Sequence, residues 1–243
     1  AKTTINTSYT QKMCLNLSAS PSRSVYLFRV RPTASMAITV FKIGGSLLEV
    51  ANLAERVRWL ISQRPETAPL LVVGGGGVAD VVRRWDALHN LGDEAAHWLA
   101  IRSMTINEAL LCDVLSECVH VFTSADAVTQ AKAGRVPVLA SETFLRHDDN
   151  NPDAMPHTWE VTSDSIAARA AVCFAAAELV FAKSVSLPKK RTVANVRSRR
   201  LVDAYFHRLA EEIPRVGWAN LRQQHRINDW LKFGQPVESK RSV

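Results

Sequence analysis

The sequence predicts an α/β fold, a three-layer α/β/α sandwich around a mainly parallel sheet. From Met36 onward, short β-rich runs alternate with stretches whose apolar residues repeat at helical spacing. Two of the β-rich runs end directly in glycine turns that lead into helices. The chain has 243 residues and is 47% hydrophobic, so it can bury a large core as one domain.

Five strands are predicted along the chain. They span residues 38–43, 69–73, 119–123, 136–140 and 179–183. One helix is expected between the first two strands and another after the second strand. Residues 93–115 are rich in apolar side chains and are expected to form one or two well-buried helices.

A polar, proline-broken loop is expected at residues 146–160. Long loops in compact domains often bind ligands, and this one could close over a site as a lid. It carries His157 and Trp159. Either side chain could touch a substrate, or could instead anchor the loop to the protein surface.

Residues 1–35 are rich in Ser, Thr and Arg and contain no acid. We expect a disordered extension there, either a transit peptide or an upstream segment with Met36 as the natural start, and favour the second. The chemistry is then expected in residues 36–243. Five basic residues of the extension account for most of the net charge of +7 and leave +2 for the rest, so the charge does not indicate nucleic-acid binding.

Composition also bears on location and partners. No apolar run approaches the roughly 20 residues of a membrane-spanning helix. The four cysteines show no metal-ligand spacing, which predicts a reduced, cytoplasmic protein without a zinc site. Residues 183–208 hold eight basic residues and one acid, and so predict either a bound polyphosphate or a solvated basic face.

Glycine turns follow the first two strands. The first turn contains Gly44, Gly45 and Ser46, and the second contains Gly74, Gly75, Gly76 and Gly77. Without Cβ atoms, several N–H groups can point into one concavity, and the positive end of the following helix adds to their attraction for an anion. Two such turns predict two phosphate groups, and hence phosphoryl transfer.

Three charged residues are candidates for catalysis. Lys42 stands within an apolar strand two residues before Gly44, where a charge is costly unless it is used. Asp164 opens a helix and could be a helix cap, but Thr162 and Ser163 can do that, which leaves its carboxylate for orienting lysines. Lys183 ends the fifth strand, at the sheet edge where ligands of open α/β sheets bind.

A dinucleotide site is the competing interpretation of the second turn. Gly74, Gly76 and Ala79 satisfy the glycine pattern, and Glu94 follows at the expected distance. However, Glu94 opens a helical stretch, whereas a nicotinamide site needs its acid at the tip of the second strand. The GxxxxGK[ST] phosphate loop of common nucleotidases is absent from the sequence.

The three motifs Lys42-Ile-Gly-Gly-Ser46, Val72-Val-Gly-Gly-Gly-Gly77 and Thr162-Ser-Asp-Ser165 occur in this order. In this combination the chain resembles the amino acid kinase family, which includes acetylglutamate, aspartate, uridylate and isopentenyl phosphate kinases. The resemblance covers residues 36 to about 235. It implies a three-layer sandwich with the acceptor on the N-terminal half, ATP on the C-terminal half and Mg²⁺ between them.

The resemblance also implies roles for particular residues. Lys42 would stabilise the transferring phosphoryl group, Asp164 would orient the lysines, and Lys183 would face nucleotide phosphates. ATP would be contacted by Gly44, Gly45, Ser46, Lys183 and Lys189, and the acceptor by Gly74, Gly75, Gly76, Gly77, Thr162 and Ser163. One departure concerns residues 184–190, where relatives often have Asp-Gly, so the nucleotide loop differs here. Arg197–Arg200 could lie over that loop or be disordered.

Further stretches, such as Leu91–Arg102 and Leu201–Phe206, resemble the (aminomethyl)furanmethanol phosphate kinases of methanofuran biosynthesis. The family resemblance implies a small-molecule acceptor and a homo-oligomer, while the charge distribution and the lack of a long apolar run predict no nucleic-acid or membrane partner. Other acceptors of the family, and a non-catalytic protein that binds a nucleotide or an oxyanion, stay as alternatives. A phosphate monoester acceptor is already anionic, so no general base is required.

Overall fold

A computed structural model describes residues 36–189, 192–223 and 227–232, with only the backbone described at 229–232. The expectations for residues 1–35, and for Lys190 and Arg191 of the basic segment, lie outside the described residues. Within the described part of the chain, no helix is both long and apolar enough to cross a membrane. The three cysteines described there, Cys112, Cys118 and Cys173, form no disulfide.

Strands and helices alternate along the chain. The strands are β1 (Ile38–Ile43), β2 (Ala68–Val73), β3 (Cys118–Val121), β4 (Val136–Leu139), β5 (Glu178–Lys183), β6 (Arg215–Asn220) and β7 (Asn228–Lys232). The helices are α1 (Leu53–Ser62), α2 (Gly76–His89), α3 (Asp93–Val114), α4 (Ser124–Lys132), α5 (Ser141–Asp148), α6 (Ser163–Cys173) and α7 (Val193–Ser198). Short 3₁₀ turns span Gly45–Leu47, Phe206–Arg208 and Ala210–Glu212.

The strands form one sheet in the order β3-β4-β2-β1-β5-β6-β7. Neighbours from β3 to β6 are parallel, and β7 pairs antiparallel with β6. The predicted sandwich with a mainly parallel sheet is therefore confirmed. The five predicted strands are present with ends shifted by up to two residues, and residues 93–114 form a single helix.

Buried side chains pack on both faces of the sheet, as expected for a parallel sheet covered by helices. Along β1, Ile38 and Val40 belong to the core on the side of α6, whereas Phe41 and Ile43 belong to the core on the side of α1. The alternation follows from the strand itself, because successive side chains point to opposite faces. It also determines which face the polar residues of β1 reach.

The loop predicted at residues 146–160 begins later than expected, because Arg146 to Asp148 form the last turn of α5. An ion pair between Glu142 and Arg146, four residues apart, supports this turn. Asp148 makes two hydrogen bonds of 2.8 Å with the buried Arg169 of α6. Asp148 and Arg169 are far apart in the sequence, so the local polarity of residues 146–148 gave no sign of this contact and predicted a loop instead.

The sequence prediction missed β6 and β7. Gly217 interrupts β6, and glycine normally weakens the prediction of a strand. Here a Cβ at Gly217 would lie 2.9 Å from the Ile227 side chain and 3.0 Å from Glu178, so the glycine serves close packing against neighbouring segments. This packing requirement exists only in the folded sheet, so the sequence around Gly217 does not indicate it.

Candidate active site

Two lysines from adjacent strands meet at the carboxyl edge of the sheet. Lys42 continues the row formed by Ile38 and Val40, so its side chain lies on the α6 face. Lys183 ends β5 and continues the row that contains Phe181. Since β1 and β5 are paired in parallel, with Lys42 opposite Phe181, the two ammonium groups are brought together.

Asp164 lies between the two ammonium groups. It occupies the first turn of α6, and its carboxylate is 2.8 Å from the Lys42 Nζ atom. The Lys183 Nζ atom donates to both carboxylate oxygens, at 2.6 and 2.8 Å. The structure thus brings together the three residues predicted to be catalytic, although their roles stay predictions.

The charges of this cluster perturb its titration. Burial alone would raise the pKa of Asp164, but the ammonium groups of Lys183 and Lys42 outweigh it and lower the pKa to about 2. Burial lowers the pKa of Lys183 to about 8, with Lys42 adding to the shift and Asp164 opposing it. One carboxylate shared by two ammonium groups leaves a net positive charge, which suits an anionic ligand.

The two glycine turns pack against each other, backbone on backbone. A Cβ at Gly45 would lie 2.2 Å from the backbone nitrogen of Gly76, which no side chain could tolerate. Gly76 has a φ of 51°, in the left-handed region that favours glycine. Because the first N–H groups of a helix have no acceptor within it, the start of α2 can present donors to an anion at this contact.

Two of the predicted phosphate contacts have another function in the backbone. The Gly44 N–H donates to the Ala182 carbonyl at 2.9 Å, and the Gly74 N–H donates to the Ile43 carbonyl at 2.9 Å. These bonds extend the sheet into both turns. Gly44 and Gly74 therefore position the turns, while their own N–H groups are already committed.

Asn107 fixes the second turn and was missed by the sequence analysis. Its buried side-chain amide, on α3, donates to the Gly74 carbonyl at 2.7 Å. This bond ties the backbone of the turn to α3. A buried asparagine within a long apolar helix was the available signal, because such a group requires a partner.

Asp203 was also missed, although its sequence neighbourhood was noted. Its carboxylate accepts hydrogen bonds from the backbone N–H groups of Thr162, Ser165 and Phe206 and from the hydroxyls of Thr162 and Ser165. The Thr162 hydroxyl therefore donates to Asp203. The Ser163 hydroxyl instead lies beside the second glycine turn, because its Oγ would be 3.0 Å from a Cβ placed on Gly74.

A cleft of about 400 Å³ opens beside the second glycine turn. Its walls come from the start of α2, from α3, and from residues 158–166 at the start of α6. The charged groups in its lining are Glu49, Asp80, Arg83 and Asp93. Gly75, Gly76, Gly77, Thr162 and Ser163 also line it, so most of the residues predicted to contact the acceptor border one cavity.

The loop before α6 is anchored by both of its aromatic residues. The Trp159 indole donates to Asp86 at 2.7 Å, and the Arg83 guanidinium lies 4.8 Å from the centre of its ring. Trp159 also lines the cleft. His157 hydrogen-bonds to Glu94 and Asp149, and so serves as an anchor away from the cleft lining.

The position of Glu94 argues against a dinucleotide site. Glu94 lies in the first turn of α3, where it accepts from the Trp98 indole and contacts His157. It is therefore committed to holding the loop rather than standing at a strand tip, where a ribose would need it.

Residues 184–189, the described part of the predicted nucleotide loop, are tied to β6. The Ser46 hydroxyl donates to Ser184 at 3.2 Å, which joins the first glycine turn to this loop. The Trp218 indole donates to the Val185 carbonyl, and the Asn220 amide donates to Ser186. Lys189, also predicted to contact ATP, is exposed at the end of the loop.

The arginine-rich stretch is ordered in part as a short helix. Thr192 caps α7 through its hydroxyl, and Val196 is fully buried in the core on the α6 side. Arg197, Arg199 and Arg200 are exposed. Part of this stretch is therefore helical, and its position over the predicted nucleotide loop stays a prediction.

Comparison with protein families matches residues 37–187 to the amino acid kinase family. The match covers more than half of the chain and includes both lysines, Asp164 and both glycine turns. This chain belongs to the amino acid kinase family. The family is one of kinases, that is, of phosphotransferases that use a nucleotide.

Relatives of this chain include the (5-(aminomethyl)furan-3-yl)methyl phosphate kinase of Methanocaldococcus jannaschii. That protein is 27% identical over 130 residues, which covers 52% of this chain and 56% of the relative. The match thus spans little more than half of the relative's length.

Solved structures with the same fold include two nucleotide kinases. UMP kinase from Ureaplasma parvum has a TM-score of 0.55 at 14% identity, and the match covers 80% of this chain and 98% of that one. Uridylate kinase from Archaeoglobus fulgidus has a TM-score of 0.52 at 18% identity, over 74% of this chain and 89% of that one. Likeness at this level concerns the fold.

The described residues around Asp164 bear on where a magnesium ion could bind. Asp164 is already engaged by two ammonium groups. Within the described ranges, no group of three His, Cys, Asp or Glu side chains is arranged to hold a metal ion. Mg²⁺ usually binds through few carboxylates together with substrate phosphates.

Proposed function

We propose that this chain is an ATP-dependent kinase that transfers the γ-phosphoryl group to a phosphate acceptor. The observation that carries the proposal is the buried cluster in which Lys42 and Lys183 share the carboxylate of Asp164. This cluster has a net positive charge and lies between the acceptor cleft and the nucleotide loop. Such a position suits a phosphoryl group in transfer between the two sides.

The reaction needs charge neutralisation and alignment rather than proton abstraction. A phosphate oxygen of the acceptor attacks the γ-phosphorus, the new P–O bond forms, and the bond to the β-phosphate oxygen breaks, with its electron pair leaving on ADP. The ammonium groups of Lys42 and Lys183 neutralise charge on the transferring oxygens, while Asp164 keeps them in place. The start of α2 holds the acceptor phosphate.

The acceptor that we propose is (5-(aminomethyl)furan-3-yl)methyl phosphate or a close analogue. Its support is the similarity to the Methanocaldococcus jannaschii kinase of that name. The cleft adds a second argument: among the described residues of its lining, the carboxylates of Glu49, Asp80 and Asp93 outnumber the one cation, Arg83, which pairs with Asp80. An aminomethyl group is a cation near neutral pH, so these carboxylates favour it over a uridine or an isoprenoid acceptor.

Three further features belong to the same proposal. Mg²⁺ would accompany ATP, as the family resemblance implies. The cytoplasmic location rests on the cysteine content and the homo-oligomer on the family resemblance. A set of exposed apolar side chains on α2 and α3 is consistent with a contact between subunits: Trp85, Leu88, Ile106, Leu110 and Val114.

The test is ADP release from ATP-Mg in the presence of candidate acceptors. We expect turnover that depends on the aminomethylfuran phosphate and is weaker with its hydroxymethyl analogue, UMP or isopentenyl phosphate. In Lys42→Met, which keeps the length of the side chain but removes its charge, kcat should fall on the order of 10²-fold to 10³-fold.

The control is Lys132→Met, at an exposed position on α4, which should leave kcat and the thermal melting temperature unchanged. If the protein binds ATP but none of the acceptors gives turnover, the proposed kinase activity is rejected. A non-catalytic nucleotide-binding protein is then favoured. Turnover with another acceptor would keep the kinase but reject the aminomethylfuran substrate.

A further inference from the structure

Five hydrogen-bond donors converge on the carboxylate of Asp203. One oxygen accepts from the Thr162 N–H at 2.8 Å, the Thr162 hydroxyl at 2.8 Å and the Ser165 N–H at 3.0 Å. The other accepts from the Ser165 hydroxyl at 2.5 Å and the Phe206 N–H at 2.9 Å. A carboxylate has about four lone-pair sites, so its accepting capacity is saturated.

Asp203 acts on α6 as a cap supplied from a distant part of the chain. Thr162 precedes the first residue of α6 and Ser165 completes its first turn, where N–H groups lack acceptors within the helix. The carboxylate satisfies both N–H groups and places a negative charge at the positive end of the helix. Both ends of this first turn are thereby fixed to one side chain.

Asp164 lies inside the fixed turn. The residues on either side of the pair Ser163-Asp164 are held by Asp203, while the Asp164 carboxylate points to Lys42 and Lys183. A rotation of the turn would move Asp164 away from the ammonium groups. We therefore propose that Asp203 is a positioning residue for phosphoryl transfer, holding the first turn of α6 so that Asp164 stays between the two lysines.

This role also links two regions of the chain. Asp203 lies beyond residues 37–187, which match the family, and it is the one acid of the basic segment 183–208, five residues after the end of α7. Its bond to the Phe206 N–H anchors it to the 3₁₀ turn Phe206–Arg208, whose Phe206 is fully buried. The segment after the nucleotide loop is thus joined to the catalytic helix through one carboxylate. This inference rests on the proposed kinase activity.

The variant Asp203→Asn tests the positioning role most directly. An amide has one accepting oxygen and an NH₂ group that would face N–H donors in either orientation, so no rotamer restores the bonds. We expect kcat to fall on the order of 10-fold to 100-fold, with a smaller change in the KM for ATP, because the effect acts on alignment. The matched control is Glu212→Gln, an exposed acid of the same segment that should leave kcat unchanged.

A second readout does not require turnover. Acetic anhydride acetylates neutral amines, so the pH dependence of Lys183 acetylation, followed by mass spectrometry, reports its titration. If Asp203 holds Asp164 against Lys183, Asp203→Asn weakens that ion pair and shifts Lys183 acetylation to lower pH. Lys132 in the same spectra is the internal reference and should not move.

The outcomes separate the two proposals. An unchanged Lys183 titration and unchanged kcat in folded Asp203→Asn would reduce Asp203 to a structural cap and overturn the inference. If the wild-type protein has no kinase activity but Asp203→Asn still shifts the pH dependence of Lys183 acetylation, the proposed kinase activity is rejected. The proposal that Asp203 positions Asp164 is then retained. If Asp203→Asn does not fold, Ser165→Ala removes a single donor and should shift Lys183 acetylation in the same direction by less; no shift would overturn the inference.

Discussion

At the scale of single residues, what separates the site from ordinary buried ion pairs is its unbalanced charge. Arg169 and Asp148 form a buried pair with equal and opposite charges, as structural pairs do. Lys42, Lys183 and Asp164 instead place two positive charges on one carboxylate. Keeping an extra buried charge is unfavourable without an anion, so this imbalance supports the proposal that an anionic ligand binds here.

This imbalance predicts the pH dependence of the reaction. Lys183 binds its proton less tightly in the folded state than in the unfolded state, with a pKa of about 8. As the pH rises through that value, Lys183 loses its charge, and kcat/KM for ATP should fall. The measurement is a profile of kcat/KM against pH, which reports the free enzyme.

The matched variant is Lys183→Arg. A guanidinium stays protonated over the whole range, so the alkaline fall should move to higher pH even if the maximal rate is lower. Profiles of the wild type and of Lys183→Arg that fall at the same pH would show that another group controls the alkaline limb.

At the scale of elements, the two glycine turns act as one unit. The contact between Gly45 and Gly76 brings the ends of β1 and β2 to the same point, where α2 begins. Gly45→Ala places a Cβ against backbone atoms that cannot move aside, so we expect a loss of unfolding free energy of about 3 kcal/mol or more.

Gly77→Ala is the control from the neighbouring turn. A Cβ there would meet only the Glu49 side chain, at 3.7 Å, and alanine is the better helix former. Its unfolding free energy should be unchanged or higher by up to about 1 kcal/mol. Urea denaturation of both variants measures the difference, and equal losses would contradict the interlocked turns.

The sequence predicted the turns and the lysines because those signals are local. Glycine runs after apolar strands and a lysine inside one can be seen without the fold. Asp203 and Asn107 could not be assigned, because their partners Thr162 and Gly74 lie far along the chain and meet them only after folding. The same holds for β6, because the close packing that requires Gly217 exists only in the folded sheet.

At the scale of the whole molecule, the strand order explains where the site lies. β1 is central, with β2 on one side and β5 on the other, so the chain leaves β1 in one direction and returns to it from the other. Ligands of open α/β sheets bind outside the carboxyl ends of strands at such a reversal. Lys42, Lys183 and both glycine turns occupy that edge, between the strands that lead to the cleft and to residues 184–189.

A site built from both halves of the sheet should couple ligand binding to global stability. A ligand present at 100 times its Kd stabilises the native state by about 2.7 kcal/mol, which for a domain of this size raises the melting temperature by roughly 5 to 11 °C. We expect a rise of this order for the full chain with saturating ATP-Mg, and a further rise when the aminomethylfuran phosphate is added to a non-hydrolysable ATP analogue. Lys42→Met should show a smaller rise from its own ligand-free value, since part of the anion's attraction is removed, whereas Lys132→Met should match the wild type. A melting temperature that ATP-Mg does not change at millimolar concentration would mean that this edge of the sheet does not bind a nucleotide.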